Sequence, residues 1–373
     1  MVGKVLIVGG GISGFSSAIA LHQQGVDVEI VELQKEWRIY HVGIIVQSNF
    51  VRALAQLGVG KEAVASGYSY KGWRFLDNDG NELGRNEGVS TAGAEFPADL
   101  GLARPALHHV LLNRVRQLGV PLRQGVTFDQ IQQSDSCAKV SFTDGTTGEY
   151  DLVVGADGAY SKLRDLIFDG RYKPTFTGQG VWRYNLPRPP DLEYAEAYIG
   201  DPSRSIGTVP LTNDTMYIFV SVAEPGNPRF PVDSLAAEMR KRLEGYGRRL
   251  SEIASQIVDP RLVVYRPLEV CVLPSPWYKD RILLIGDAAH STTPHLGQGA
   301  AMAVEDAVVL AEEYARAGTI EQRLQWFMNR RFARAKYVSE SSIQLGEWQM
   351  HPSPQADPIG LYHRVRQFIG EPI

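Results

Sequence analysis

A chain of 373 residues, 44% hydrophobic and 21% charged with a formal net charge of -4, has the composition of a soluble protein with more than one core. That charge balance argues against nucleic acid as a partner. Its two cysteines, Cys137 and Cys271, stand in no CxxC or Cys/His spacing, which argues against a disulfide framework or a zinc site and fits a reducing, cytoplasmic compartment.

Residues 4–8 are short, β-branched and apolar, the pattern of a buried parallel strand. The run is too short for a signal peptide, and no later stretch approaches a membrane span, so no membrane partner is expected. Residues 13–24 have helical spacing and Gly25 supplies a stop. Residues 27–32 read as a second strand, completing a strand, glycine loop, helix, strand unit. Helices are expected over 50–57 and 104–118. Residues 139–142 and 150–154 read as strands, with Asp144-Gly145 as the turn. The middle changes texture: strands at 180–186, 206–211, 215–222 and 262–272 are punctuated by prolines, with one helix at 234–250. This predicts an α+β insertion with a mostly antiparallel sheet. Residues 281–285 return to the buried-strand pattern, and helices over about 300–317 and 320–348 precede a proline-rich tail.

Gly9-Gly10-Gly11-Ile12-Ser13-Gly14 fits GxGxxG in the strand-to-helix context that the motif requires. Gly9 permits the tight turn, Gly11 lets backbone approach a pyrophosphate, and Gly14 lets helix and strand pack closely. The helix start at Ile12 and Ser13 offers free N–H groups and a positive dipole end to phosphates. Glu32 ends the second strand, where an acid bonds a ribose hydroxyl. This unit predicts a dinucleotide ligand without separating FAD from NAD.

Two further motifs separate them. Val154-Gly155-Ala156-Asp157-Gly158 follows one strand, and Ile285-Gly286-Asp287-Ala288-Ala289-His290 follows another. The second leads into Pro294, Gly297-Gln298-Gly299 and Glu305-Asp306. With the glycine loop, a DG motif and a GD motif in order, residues 1–345 resemble the group A FAD-dependent monooxygenases, the para-hydroxybenzoate hydroxylase family. The salicylate and urate hydroxylase-like members are the nearest in kind. The resemblance implies an α/β fold: a Rossmann-like FAD-binding domain over 1–71, 97–171 and 280–318. An inserted α+β substrate domain would occupy 72–96 and 172–279, and a C-terminal helical segment 319–373. It also implies non-covalent FAD, with NADH or NADPH as co-substrate. A small aromatic or N-heteroaromatic compound would be hydroxylated with O2 through a flavin C4a-hydroperoxide, by a monomer or homodimer.

Residue by residue, the resemblance assigns Gly9, Gly11, Ile12, Ser13, Gly14 and Glu32 to the ADP half of FAD. Arg104 matches an arginine that contacts FAD at a helix start, Asp157 and Gly158 the DG pair, and Asp287 the aspartate on the ribityl chain. Gly297, Gln298, Gly299 and Ala300 would line the flavin at a helix N-terminus, whose dipole favours an anionic reduced flavin. The family's asparagine is replaced here by Ala300 and Ala301, so that contact is backbone or absent. Gly43 fits a close flavin approach, and His41 falls where some relatives place an arginine near the cofactor.

Arg204, Tyr217 and His295, with Pro294 beside it, are the candidates for favouring an ionised ring, and Tyr184 is a further one. The Arg204 and Tyr217 spacing is similar to that of the flavin-dependent urate hydroxylases, where both line the active site. Glu305 and Asp306 read as a solvated or helix-packing pair, and His290 as a packed structural histidine. Two other readings stand beside ring hydroxylation: epoxidation or hydroxylation of an alkene or polyketide on the same fold, and a non-catalytic flavin-binding redox sensor.

Overall fold

Strand Lys4–Val8, whose Val5, Leu6 and Ile7 are fully buried, lies at the middle of a six-stranded sheet. This is a computed structural model, and it describes residues 3–373 except the side chain of Arg248. The sheet order is Tyr278–Lys279, Ile282–Leu284, Leu152–Gly155, Lys4–Val8, Asp27–Glu32, Leu122–Gln124. Every pairing is parallel except that of the first two strands. Helix Ile12–Gln23 packs on Gly299–Ala315 and on Arg104–Gln117. A strand buried on both faces must be apolar throughout, which is why Lys4–Val8, Leu152–Gly155 and Ile282–Leu284 do not alternate, whereas Asp27–Glu32, nearer the edge, places Asp27 and Glu29 on the more open side.

Residues 150–154, expected as one strand, divide between two sheets. Thr147–Tyr150 joins Ala138–Phe142 and Phe128–Gln133 in an antiparallel three-stranded sheet, while Leu152–Gly155 enters the parallel one. Asp151 is the corner, and its carboxylate accepts from the Lys4 N–H at 2.7 Å. The apolar run hid the change of partner.

A seven-stranded sheet runs Val264–Val272, Thr175–Pro187, Thr215–Ala223, Arg204–Pro210, Ala195–Tyr198, Gly72–Leu76, Glu82–Glu87. It is antiparallel apart from the Ala195–Tyr198 and Gly72–Leu76 pair. One face buries Trp182, Tyr184, Tyr198, Ile206 and Ile218 under Leu235–Lys241 and Arg248–Ser255. The single helix expected over 234–250 is therefore two. Gly245 takes φ +88°, a left-handed conformation that ends a helix, and the Gly247 N–H turns to the Asn78 carbonyl at 2.6 Å. The opposite face carries Trp73, Val209 and Tyr217.

Between the large sheets lies a three-stranded one, Gly43–Val46, Asp99–Ala103 and Tyr68–Tyr70. Helix Ile320–Met350 opens with a capping box between Thr319 and Gln322. The proline-rich tail holds a further helix, Pro358–Gly370. Pro358 sits in its first turn, the Asp357 carboxylate accepts from the Gly360 N–H at 2.8 Å, and Leu361, Val365 and Ile369 face inward. Among the described residues no helix is long and apolar enough to cross a membrane.

Gly101 marks the tightest join, because a Cβ there would overlap the Pro210 carbonyl oxygen of the seven-stranded sheet. Gly101→Ala is expected to cost about 1–3 kcal/mol, read as a lowered urea midpoint at unchanged slope. Gly84→Ala, whose added carbon meets nothing within 4 Å, is the matched control and should leave the midpoint nearly unmoved.

Candidate functional site

The glycine loop is held as an open cradle. Gly9, at φ +114°, lies so close to the DG segment that a Cβ would overlap the Ala156 carbonyl oxygen. Gly14 allows no Cβ either, because the Gly9 carbonyl oxygen fills that space. At Gly11, the N-cap of helix Ile12–Gln23, there is nothing within 4 Å and no side chain caps the helix. Close packing on both sides of an empty N-terminus is what a pyrophosphate needs. Ile12 and Ser13 begin that helix. The Glu32 carboxylate accepts from the N–H groups of Gly10 and Gln34, each at 2.7 Å, which fixes it beside the loop. His108 donates to the Gly10 carbonyl at 3.1 Å, and burial lowers its pKa. Sequence reasoning had not singled out His108.

Asp157 caps the helix Lys162–Ile167 through one oxygen, at 2.8 Å from the Lys162 nitrogen, while its other oxygen is buried without a partner. Burial raises its pKa. Asp287 is exposed and follows Gly286, whose φ of +56° and contact with Ser13 Oγ leave no room for a side chain. The DG and GD segments thus both abut the glycine loop. Gly297, at φ +64°, would bring a Cβ to 3.3 Å from Gln47 Nε2. Gln298 is the N-cap of helix Gly299–Ala315, yet its side chain bonds Asn49 and leaves the helix N–H groups of Gly299 and Ala300 uncapped. The groove therefore presents two open helix N-termini and a free carboxylate. These residues fit FAD: the pyrophosphate would lie at Gly11, a ribityl hydroxyl at Asp287 and the flavin ring at residues 297–300.

A buried ionic network holds this groove from beneath. Glu305, Asp306 and Arg331 are fully buried. Arg331 bonds Asp306 at 2.8 Å and Glu305 at 2.9 Å, and Arg334 bonds Glu305 at 2.8 Å and 3.0 Å. Asp306 accepts from the Gly286 N–H at 2.9 Å and from His290 at 2.6 Å, and Glu305 from Asn49 at 3.0 Å. Burial alone would raise both carboxyl groups, but Arg331 and Arg334 around Glu305, and His290 and Arg331 around Asp306, hold both pKa values below the ordinary range. The acid pair is thus a packing pair and is not solvated. His290 is a packed histidine.

Strand register sets what the seven-stranded sheet shows to this groove. One row across it runs Trp73, Ala195, Val209, Tyr217, Asn185 and the next Phe75, Ala197, Gly207, Phe219, Arg183. A Cβ on Gly43 would overlap the Tyr217 ring, so the strand beginning at Gly43 lies directly on the first row. Burial pushes the Tyr217 pKa up to about 12 against the pull of Arg183 and Arg104, so its hydroxyl stays protonated at neutral pH. The Tyr70 hydroxyl and Trp73 Nε1 are buried in this cluster without partners. Arg104 is exposed at the start of its helix, and its N–H bonds the Val42 carbonyl at 2.9 Å. His41 is exposed, and its carbonyl accepts from Asn185.

The structure corrects the placement of Arg204. It lies an odd number of residues from Val209, the register partner of Tyr217, and so points to the opposite face. There it bonds the carbonyls of Arg242 and Glu244 at 3.2 Å and 2.8 Å, pairs with Asp201 at 3.1 Å and lies over the Tyr246 ring. Tyr184 is on that outer face too, in the core under the helices. The arginine that shares a face with Tyr217 is Arg183, which the sequence reading passed over. Its signal was parity: Val181, Arg183 and Asn185 alternate with Trp182, Tyr184 and Leu186.

Pro294 opens the turn Pro294–Leu296. His295 points from it to the long helix, where Nε2 donates to Gln349 at 3.0 Å and Nδ1 is buried without a partner. Burial lowers its pKa from 6.5 to about 4, so the ring is neutral. Gln179 faces the same turn of helix: a Cβ on Gly346 would lie 2.6 Å from its Oε1 and 2.9 Å from His295 Cε1.

A model of the FAD binding domain family matches residues 3–342. The chain belongs to this family. It is 32% identical over 387 residues to 2-heptyl-3-hydroxy-4(1H)-quinolone synthase of Pseudomonas aeruginosa, with 98% of each chain covered. It is 29% identical over 314 residues to the FAD-dependent urate hydroxylase of Mycolicibacterium vanbaalenii, covering 82% of this chain and 78% of that protein. The Klebsiella pneumoniae HpxO structure with FAD and uric acid shares the fold, with TM-score 0.85 at 23% identity over 98% of this chain and 92% of that one. As a member of the family the chain is a flavoprotein monooxygenase with FAD as cofactor and NAD(P)H as reductant. FAD, when bound, supplies the electron transfer and the activation of O2.

Two measurements test the site. Arg331→Met leaves Glu305 and Asp306 short of a buried counter-charge and should cost about 3–5 kcal/mol, with FAD content falling on purification because Gly286 and Asn49 lose their anchors. Retention of full stability and full FAD content would refute the network's role. The second concerns His295. An unfolded imidazole takes up a proton near pH 6.5, the folded one only near pH 4, so falling pH across that window favours unfolding. His295→Asn should remove up to about 3 kcal/mol of that acid loss, measured as the difference between denaturation midpoints at pH 7 and pH 4.5.

Proposed function

We propose that this monooxygenase hydroxylates a compact aromatic or N-heteroaromatic ring, with O2 as oxidant. The carrying observation is the pair of rows on the seven-stranded sheet that meets the Gly43 strand. Aromatic residues Trp73 and Phe75 stand at one end, and Tyr217 and Phe219 near the other, with Ala195, Val209, Ala197 and Gly207 between them. The Phe219 ring lies against Gly207, and Val209 and the alanines carry only short side chains, so the rows form an apolar, ring-lined wall that suits a flat ring better than a branched chain. The first row is buried and the second partly open, so a ring enters over Phe75, Ala197 and Phe219 and comes to rest toward Tyr217.

Each neighbouring group has a task in this reading. The apolar walls exclude water, which protects a reactive oxygen donor from wasteful decay. Tyr217, kept protonated, donates to a ring oxygen or nitrogen, and Trp73 Nε1 and the Tyr70 hydroxyl offer two more donors with no partner of their own. Fixed donors orient the ring so that one carbon meets the flavin edge. The quinolone synthase and the urate hydroxylase among the relatives are named for N-heteroaromatic compounds, which supports the same class here.

The test is a panel of phenols, pyridines, purines, quinolones and polyketides, scored by stimulated NAD(P)H consumption and by product mass, with released peroxide counted separately. A ring compound gaining one oxygen atom is the expected result. Turnover confined to polyketides or alkenes, or no stimulation at all, would overturn the reading. Ala197→Phe fills the space between the walls and should raise KM for the accepted ring by about tenfold or more while FAD content stays unchanged.

A further inference from the structure

Arg183 is a guanidinium without a hydrogen-bond or ion-pair partner among the described residues. Arginines buried against the helix-covered side of this sheet are paired, Arg74 and Arg249 with Glu196 and Arg242 with Glu224, and Arg266 on the other side is exposed over the Tyr40 ring. Those pairs lie on the helix-covered face, where Glu196 and Glu224 are buried. Arg183 lies on the other face, next to Phe219 in the second row and one row from Tyr217. Burial pulls its pKa down to about 10, Tyr217 acts to raise it, and the cation of Arg104 lowers it further. No carboxylate is among the groups that act on it.

A half-buried cation facing another cation, with no counter-ion, is unfavourable unless a ligand completes it. A guanidinium presents a planar fork of donors matched to a carboxylate or a delocalised oxyanion. We propose that Arg183 receives the anionic group of the substrate, which is therefore an aromatic carboxylate or an ionised hydroxy- or oxo-heteroarene. This deepens the ring-hydroxylase reading and rests on it for the place of the ring. Arg183 supplies the charge, Tyr217 a neutral hydroxyl beside it, and Phe219 the apolar wall between. An electron-rich anionic ring is also the form that an electrophilic oxygen donor attacks most readily. The other anion within reach of such a cation is the cofactor itself, so the experiment separates the two.

FAD-loaded wild type, Arg183→Gln and Arg183→Lys are titrated with benzoate, 4-hydroxybenzoate and nicotinate, and with the three matching amides. The readout is the perturbation of the flavin absorbance. Wild type should bind at least one acid about tenfold or more tighter than its amide. Arg183→Gln should lose that preference, Arg183→Lys should recover part of it, and FAD content and flavin reduction potential should stay as in wild type. Equal binding of acids and amides by wild type, no binding of either, or a preference that survives Arg183→Gln would overturn the proposal. So would a shift in FAD affinity or potential with the acid preference intact, since the guanidinium would then serve the cofactor. Absorbance reports binding without turnover, so the two readings fail separately. Acid binding with no ring oxidised sinks hydroxylation alone, and turnover of neutral rings with no acid preference sinks the role of Arg183 alone.

Discussion

Two carboxylates and two guanidiniums share an interior that excludes water, and the cofactor groove depends on their mutual neutralisation. Glu305 and Asp306 come from the helix Gly299–Ala315, Arg331 and Arg334 from the long helix that follows. Burying four charges costs more than their attraction returns unless every lone pair and proton finds a partner. The remaining acceptor positions are filled by the Gly286 N–H, His290 and Asn49. Each of those is attached to a segment that lines the groove. The network thus adds little net stability and a great deal of positional definition, because a small displacement of any loop strands a buried charge.

The seven-stranded sheet treats its two faces differently. Under the helices each buried acid has a basic partner, as in Glu224 with Arg242 and with Trp182 Nε1 at 2.8 Å. On the groove side Tyr70, Trp73, Asn185 and Arg183 keep hydrogen-bonding capacity unspent. A fold gains nothing from orphaned donors in an apolar cluster, and a buried polar group without a partner costs about 1–3 kcal/mol. Unpaired hydroxyls occur under the helices too, at Tyr246 and Tyr265, so the difference between the faces is one of charge: the arginines under the helices meet acids and Arg183 on the groove side does not.

Much of this arrangement was legible in the amino-acid order, for identifiable reasons. The glycine loop, the DG and GD segments and the residues at 297–300 are local, and each announces a backbone conformation that few other sequences would require. The buried parallel strands were legible because a continuous apolar run has few other uses. The features that escaped are those decided by partners far along the chain. Arg204 and Arg183 look equivalent until strand register assigns each a face. The strand break at Asp151 depends on Lys4, and the choice between a solvated and a packed acid pair stayed open because Arg331 and Arg334 lie a helix away. The helix Pro358–Gly370 was obscured by the prolines around it, although its buried residues recur every fourth position.

The alternation of the sheet has a bearing on how this protein changes over generations. Positions 205, 207 and 209 face the groove while 206 and 208 face the helices, so neighbouring codons answer to unrelated selective pressures. A lineage can remodel the odd-numbered wall toward a new ring compound without disturbing the packing held by the even-numbered one. The ionic network behind the cofactor has no such freedom, since each member constrains several others. Catalytic diversification on this scaffold should therefore follow the parity of the strands and leave the charged interior nearly frozen.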